Sequence, residues 1–230
     1  MTPQPFTERF TVDEATIEVP ASALIPKLRE RLLSGGYERY ERALLRTHLR
    51  PDDRVLDLGA GAGLVSITAA RVVGVERVTA VEANRDMVRS LKRNLRRNLG
   101  RGVRVLPVAV VADGVAGDAV DLHVRPGFWS ASILPGRAKG AVTQPVKARP
   151  LGKLIQRAAA TVLAMDVEGA EQTLLVAPLP AQIRLLVVEL HPALYGDTVR
   201  DRILADMARQ GFVDVREGPT GEVHALRRGD

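Results

Sequence analysis

The sequence predicts an α/β protein, a doubly wound and mostly parallel sheet of seven strands that ends in a C-terminal antiparallel hairpin. Short apolar runs alternate with stretches of helical period from residue 53 to residue 211. That alternation is the mark of a parallel sheet joined by right-handed helical crossovers. A glycine-rich segment, DLGAGAG (57–63), follows the first of these runs, where a strand must turn sharply into a helix. The last two apolar runs, FVDVRE and EVHALRR, are separated by Gly218, Pro219, Thr220 and Gly221, a hairpin connection.

The elements follow in order. ASALIPKLRERLL (21–33) has helical spacing and ends at Gly35 and Gly36; YERYERALLRTHL (37–49) is a second helix, stopped by Pro51. Residues 1–50 therefore read as a helical cap on one globular unit spanning 51–230. DRVLDLG (53–59) is the first core strand, VSITAARVV a helix, and RVTAVEA (77–83) the second strand. RDMVRSLKRNLRRNLG (85–100) is amphipathic: Val88, Leu91, Leu95 and Leu99 share one face, and its arginines read as a solvated one. Gly100 closes it. VRVLPVAV (103–110) reads as a third strand and AVDLHV (119–124) as an additional one. Periodicity weakens over 125–150, an excursion expected to hold a short strand near 141–147 and long enough to suggest a functional loop. Then come a short helix (151–158), a buried strand TVLAMDV (161–167), a helix AEQTLLVA (170–177), a strand IRLLVVELH (183–191) and a helix ending at Gly211.

Composition excludes several classes of function. The chain has 230 residues, 46% hydrophobic and 26% charged, an ordinary globular balance. Without cysteine it has no disulfide, no thiolate metal site and no cysteine nucleophile. MTPQPFTERF is not a secretory signal, and no apolar stretch approaches the roughly 20 residues that span a bilayer. The expectation is a soluble, cytoplasmic protein with no membrane partner. A net charge of +6 permits an anionic partner. The 3% aromatic content argues against a single-stranded nucleic acid groove, which needs stacking platforms.

The carboxyl ends of the strands hold the candidate chemistry. Gly59, Gly61 and Gly63, with Ala60 among them, let backbone approach a ligand at a helix N-terminus. Glu82, followed by Ala83, ends the second strand, where a carboxylate can accept bonds from two ribose hydroxyls. Two ligands fit such a loop. A dinucleotide favours G-x-G-x-x-G, but the spacing here differs and Asp57 precedes the glycines; an acid repels pyrophosphate and suits the ammonium of S-adenosylmethionine, directly or through water. The terminal hairpin is similar to the seventh-strand arrangement of class I methyltransferases.

VLAMDVEGAEQTLL (162–175) runs a buried strand into three carboxylates, Asp166, Glu168 and Glu171. Together with GGYERYERALL (35–45), VLDLGAGAG (55–63) and VVELHP (187–192), it resembles the FkbM-type S-adenosylmethionine-dependent methyltransferases. The chain departs from that pattern at Gly61, often Asn there, and at Ala164, often Lys. The resemblance implies a Rossmann-like class I methyltransferase that uses S-adenosylmethionine for O-methylation. On this reading Asp57, Gly59, Ala60, Gly61, Gly63, Glu82, Ala83 and Asp166 hold the cofactor. Asp166, Glu189 and His191 are the candidate catalytic residues, His191 as a neutral base because imidazole titrates near neutrality. Glu168, Tyr37 and Trp129 are candidates for the acceptor. Asp166, Glu189 and His191 can alternatively hold a divalent metal, a reading not favoured for want of a diagnostic spacing. Glu171 reads as a helix-start charge, and His123 and His224 as structural. The chain lacks the Asn/Asp-Pro-Pro-Tyr/Phe string of many amino-directed nucleic acid methyltransferases. A hydroxyl on a small molecule, a sugar or secondary metabolite, is therefore the expected acceptor. An RNA or protein methyltransferase, a non-catalytic adenosyl-binding protein and a dinucleotide oxidoreductase are the rival readings.

Overall fold

The computed structural model describes residues 7–115, 117–124 and 142–229. The chain opens with a β-hairpin, β1 (Thr7–Val12) and β2 (Ala15–Pro20), then α1 (Pro26–Leu33) and α2 (Arg39–His48). The central region runs β3 (Val55–Leu58), α3 (Leu64–Val73), β4 (Val78–Val81), α4 (Arg85–Leu99) and β5 (Arg104–Leu106). After it come β6 (Ala109–Val111), β7 (Ala119–Val124), β8 (Val142–Pro150) and α5 (Leu151–Ala158). The last third holds β9 (Val162–Met165), α6 (Glu171–Leu174), β10 (Leu185–Glu189), α7 (Pro192–Tyr195), α8 (Asp197–Arg209), β11 (Phe212–Asp214) and β12 (Val223–Arg228).

Seven strands form the main sheet in the order β11-β12-β10-β9-β3-β4-β5, and only β12 runs against the rest. Alternation along the strands splits the core. Leu56, Leu58, Leu163, Met165, Leu186 and Val188 pack against α5, α6 and α8. Val55, Val162, Ala164, Leu185 and Val187 pack against α2 and α3 on the other face. Both faces are buried, which is why these strands read as continuous apolar runs. The predicted doubly wound sheet and its terminal antiparallel hairpin are both present.

The N-terminal hairpin was not foreseen, since a helical cap was expected over residues 1–50. It docks on α4 through two asparagines one turn apart. Asn94 accepts from the Glu18 amide (2.8 Å) and donates to Glu18 O (3.0 Å); Asn98 does the same to Thr16 (2.8 and 2.7 Å). Arg97, read as part of a solvated face, instead pairs with Glu18 at 2.8 Å.

The expected third strand also divides. Pro107 offers no N–H to a ladder, so β5 ends at Leu106 and β6 joins a separate three-stranded sheet, order β6-β8-β7. The helix expected over 170–177 stops at Leu174, because Pro178 disfavours helical geometry just before it. Among the described residues, no helix is long and apolar enough to cross a membrane.

Candidate functional site

The chain leaves β3 in one direction towards β4 and returns to its other side as β9, so the sheet's switch point lies between β3 and β9. Ligands of open α/β sheets bind in the crevice outside the strand ends at such a point. Gly59 leaves β3 with φ 85°, and a Cβ there would stand 1.7 Å from the Asp166 carbonyl oxygen. Glycine is required by both torsion and space. The amides of Gly59 and Ala60 both donate to Val81 O at 3.0 Å, fastening the loop to β4. At Gly63 a Cβ would approach Leu91 Cδ1 to 2.8 Å, so its role is close helix packing.

Glu82 organises this loop as well as facing the crevice. Its Oε2 accepts from the Gly61 amide (2.8 Å) and its Oε1 from the Asn84 amide (2.7 Å). Burial raises its pKa and these N–H donors work the other way. A cavity of about 660 Å³, open on one side, lies above the strand ends. Tyr37, Gly59, Gly61, Glu82, Ala83 and Asp166 line it, and Val108, Ala109, Val110 and Leu122 close it from the second sheet. Those four apolar residues escaped sequence reading; Pro107, which sends the chain out of the main sheet, was the available signal.

Asp57, expected to meet the cofactor directly or through water, lies beneath the loop. It is 3% exposed and lines neither cavity described here. Its Oδ2 accepts from Ser66 Oγ on α3. Burial pushes its pKa up to about 7 against the pull of that bond. Ala60 and Gly63 likewise shape the loop from beneath and are not wall residues.

A second, wider basin of about 1800 Å³ adjoins the first. Glu38, Glu41, Glu189, His191 and Glu222 line it, with Lys27, Arg31 and Arg39 also on its walls. Tyr37, Asp166 and Glu168 belong to both cavities. Glu168 holds a left-handed backbone (φ 49°), as does Glu38 (φ 49°), a conformation that side-chain-bearing residues keep only when their surroundings fix it.

Asp166, Glu189 and His191 meet at the strand ends as expected, with one potential ligand atom from each within 4.8 Å of the others. Burial, then Glu189 and Glu168, push the Asp166 carboxyl well above its usual range. Glu41, whose own carboxyl is raised to about 7 chiefly by burial, hydrogen-bonds Glu189. Glu171 is far more than a helix-start charge. It is wholly buried, and its Oε1 accepts from both the His191 amide and His191 Nδ1 at 3.0 Å, while Oε2 takes the Gly169 amide at 2.9 Å. Burial alone lowers the imidazole pKa, but the bond to Glu171 and the surrounding carboxylates outweigh it and raise the value to about 9. That shift favours the protonated imidazole at neutral pH, whereas the sequence reading has His191 as a neutral base. Its Nε2 points to Asp166 Oδ1 (3.6 Å) and Glu168 Oε2 (3.8 Å). Of the histidines read as structural, His224 bonds Asp214 at 2.9 Å and His123 meets Thr143 at 3.3 Å. Trp129 lies outside the described residues.

A family profile described as methyltransferase small domain matches residues 41–124, less than half of the chain. No curated protein sequence matches. Among solved structures, a protein of the NADB-Rossmann superfamily from Streptococcus agalactiae superposes with a TM-score of 0.50 and 12% identity, covering 83% of this chain and 68% of that one. Methyltransferase FkbM from Methylobacillus flagellatus KT superposes with a TM-score of 0.50 and 20% identity, covering 87% of this chain. This chain spans about half, 52%, of that protein. Sheet order, profile and superpositions together give the chain the Rossmann-like fold of class I, S-adenosylmethionine-dependent methyltransferases.

Proposed function

We propose that this chain is an S-adenosylmethionine-dependent methyltransferase that methylates a hydroxyl group of a small molecule. The observation that carries the reading is the shared wall: the cavity above Glu82 opens onto a carboxylate-lined basin at Tyr37, Asp166 and Glu168. Adenosine fits the first cavity, its ribose against Glu82 and its base against the apolar Val108–Leu122 side. The methyl group then lies at the junction and the acceptor in the basin.

Transfer is an in-line displacement at a sulfonium carbon, so alignment and removal of one proton are what the protein must supply. Asp166 suits the second task. Its carboxyl touches both cavities, where methyl donor and acceptor would meet. His191, protonated and anchored by Glu171, steadies the negative charge around it.

The test is calorimetric titration with S-adenosylmethionine, S-adenosylhomocysteine and NAD, followed by an acceptor screen. Saturable binding of both adenosyl ligands with NAD silent is expected. Binding of NAD alone would overturn the reading in favour of a dinucleotide enzyme.

A further inference from the structure

We propose that Asp166, Glu189 and His191 form a binding site for one divalent cation of the Mg²⁺ or Mn²⁺ class, placed at the junction of the two cavities. The three residues come from the carboxyl ends of two adjacent parallel strands, β9 and β10, so their spacing is set by the sheet rather than by flexible loops.

Three observations point to an ion. The potential ligand atoms lie within 4.8 Å of one another; ligands of one octahedral ion stand about 3.0 Å apart when adjacent and about 4.2 Å when opposite, so side-chain rotations of about an ångström close the shell. Asp166 Oδ1 is enclosed and accepts no hydrogen bond; His191 Nε2 approaches it to 3.6 Å, too far for a hydrogen bond, a gap that an ion held between the two atoms closes. Finally, His191 is oriented as a metal ligand is oriented. Glu171 takes Nδ1–H at 3.0 Å from a wholly buried position, which turns Nε2 towards Asp166. A carboxylate behind the imidazole is the usual second layer of a metal site, where it fixes tautomer and ring direction.

Among the described residues no arginine or lysine fills this role, and none forms an ion pair with Asp166 or Glu189. Arg42 is spent on Asp13 and on the carbonyls of Gly35, Tyr37 and Glu38. Two carboxylates and one imidazole suit a hard or borderline cation. All three residues are half-buried, so the remaining coordination positions open to the basin. An ion there takes the place of the Nε2 proton and binds the acceptor's hydroxyl oxygen, lowering its pKa. Asp166 is then a ligand, and the hydroxyl proton passes to Glu168, which lines both cavities and is not among the three ligands. This consequence rests on the methyl-transfer reading; the binding itself does not.

The experiment uses the whole chain, stripped with a chelator, at pH 7.5 without cofactor or acceptor. Mn²⁺ alone is titrated and free ion is followed by electron paramagnetic resonance. One equivalent should bind, saturating by about 1 mM. Asp166→Asn and Glu189→Gln should each weaken binding at least ~10-fold, and Glu171→Gln by roughly the same factor through loss of the ring's anchor. Asp86→Asn, exposed on α4 and outside both cavities, should leave it unchanged. Circular dichroism verifies folding, and if one ligand variant fails to fold the wild type and the other variant decide. No saturable binding in the folded wild type, or equal affinity in Asp166→Asn and Glu189→Gln, overturns the site. A parallel titration with S-adenosylhomocysteine separates the two ideas. Nucleoside binding without Mn²⁺ binding removes the metal and leaves the methyltransferase reading, and the reverse result does the opposite.

Discussion

Gly59 and Asp166 meet backbone to backbone: a single methyl group on the first would stand 1.7 Å from the carbonyl oxygen of the second. The crossing of these two strand ends holds the cavity above Glu82 and the acidic basin in one piece. Gly59→Ala should therefore cost at least about 3 kcal/mol, from overlap and a left-handed torsion together. Gly35→Ala is the matched comparison, with φ 72° but nothing within 4 Å of the new methyl; it should cost only about 1–2 kcal/mol. Denaturant unfolding of both variants measures the difference, and equal costs would show that the close approach is not rigid.

Glu82 bonds two loop amides and faces the first cavity. Glu82→Ala should weaken S-adenosylhomocysteine binding by about 1–3 kcal/mol, the usual loss when charged hydrogen bonds disappear. Glu82→Gln should lose less, because one acceptor oxygen remains. Calorimetry reads both, and unchanged affinity in the alanine variant would remove Glu82 from the ribose site.

Asp57 has a pH signature. Its folded pKa of about 7 lies above the ordinary value of 3.8, because burial penalises the charge more than Ser66 supports it. A raised pKa means that its contribution to stability is fully present below pH 4 and disappears as pH rises through 7. Asp57→Asn keeps an acceptor for Ser66 without the charge. It should be more stable than wild type at pH 8, by about 2–4 kcal/mol on the scale of 1.36 kcal/mol per pKa unit, with the gap closing towards pH 4. Unfolding curves across that range test it; a constant difference would locate the pH dependence elsewhere.

His191 and Glu171 form the last testable pair. In metal-free protein the imidazole should titrate near pH 9 by NMR. In Glu171→Gln, with the main favourable partner neutral, burial should dominate and its pKa should fall by at least about 1 unit. The pair's stabilisation is present below pH 6.5 and lost as pH rises through 9, so the wild type should lose more stability than the variant across that window. An unshifted histidine in Glu171→Gln would deny Glu171 its control of the ring.

Much of this was legible in the sequence because parallel strands announce themselves. Val162–Met165 and Leu185–Glu189 are apolar on both faces, and their ends place Asp166, Glu189 and His191 together without further information. What was hidden depended on partners distant in sequence. Glu171 looks like a charge at a helix start until its contact with His191, twenty positions on, is known. Asn94 and Asn98 look solvated until the β1–β2 hairpin takes their amides. Asp57 reads as a ligand from its place before the glycines, yet its position in the strand turns it to the α3 side, towards Ser66.

The antiparallel strand β12 has a consequence for how the chain reaches this state. It lies between β10 and β11, so until Val223–Arg228 is seated, the apolar run Leu185–Glu189 presents a bare hydrogen-bonding edge. Joining them requires closing a long loop, a slow step in folding. An unpaired, hydrophobic β-edge held open during that delay is a template for self-association. Lesions in β12 should therefore be recovered as aggregated chains rather than as soluble protein.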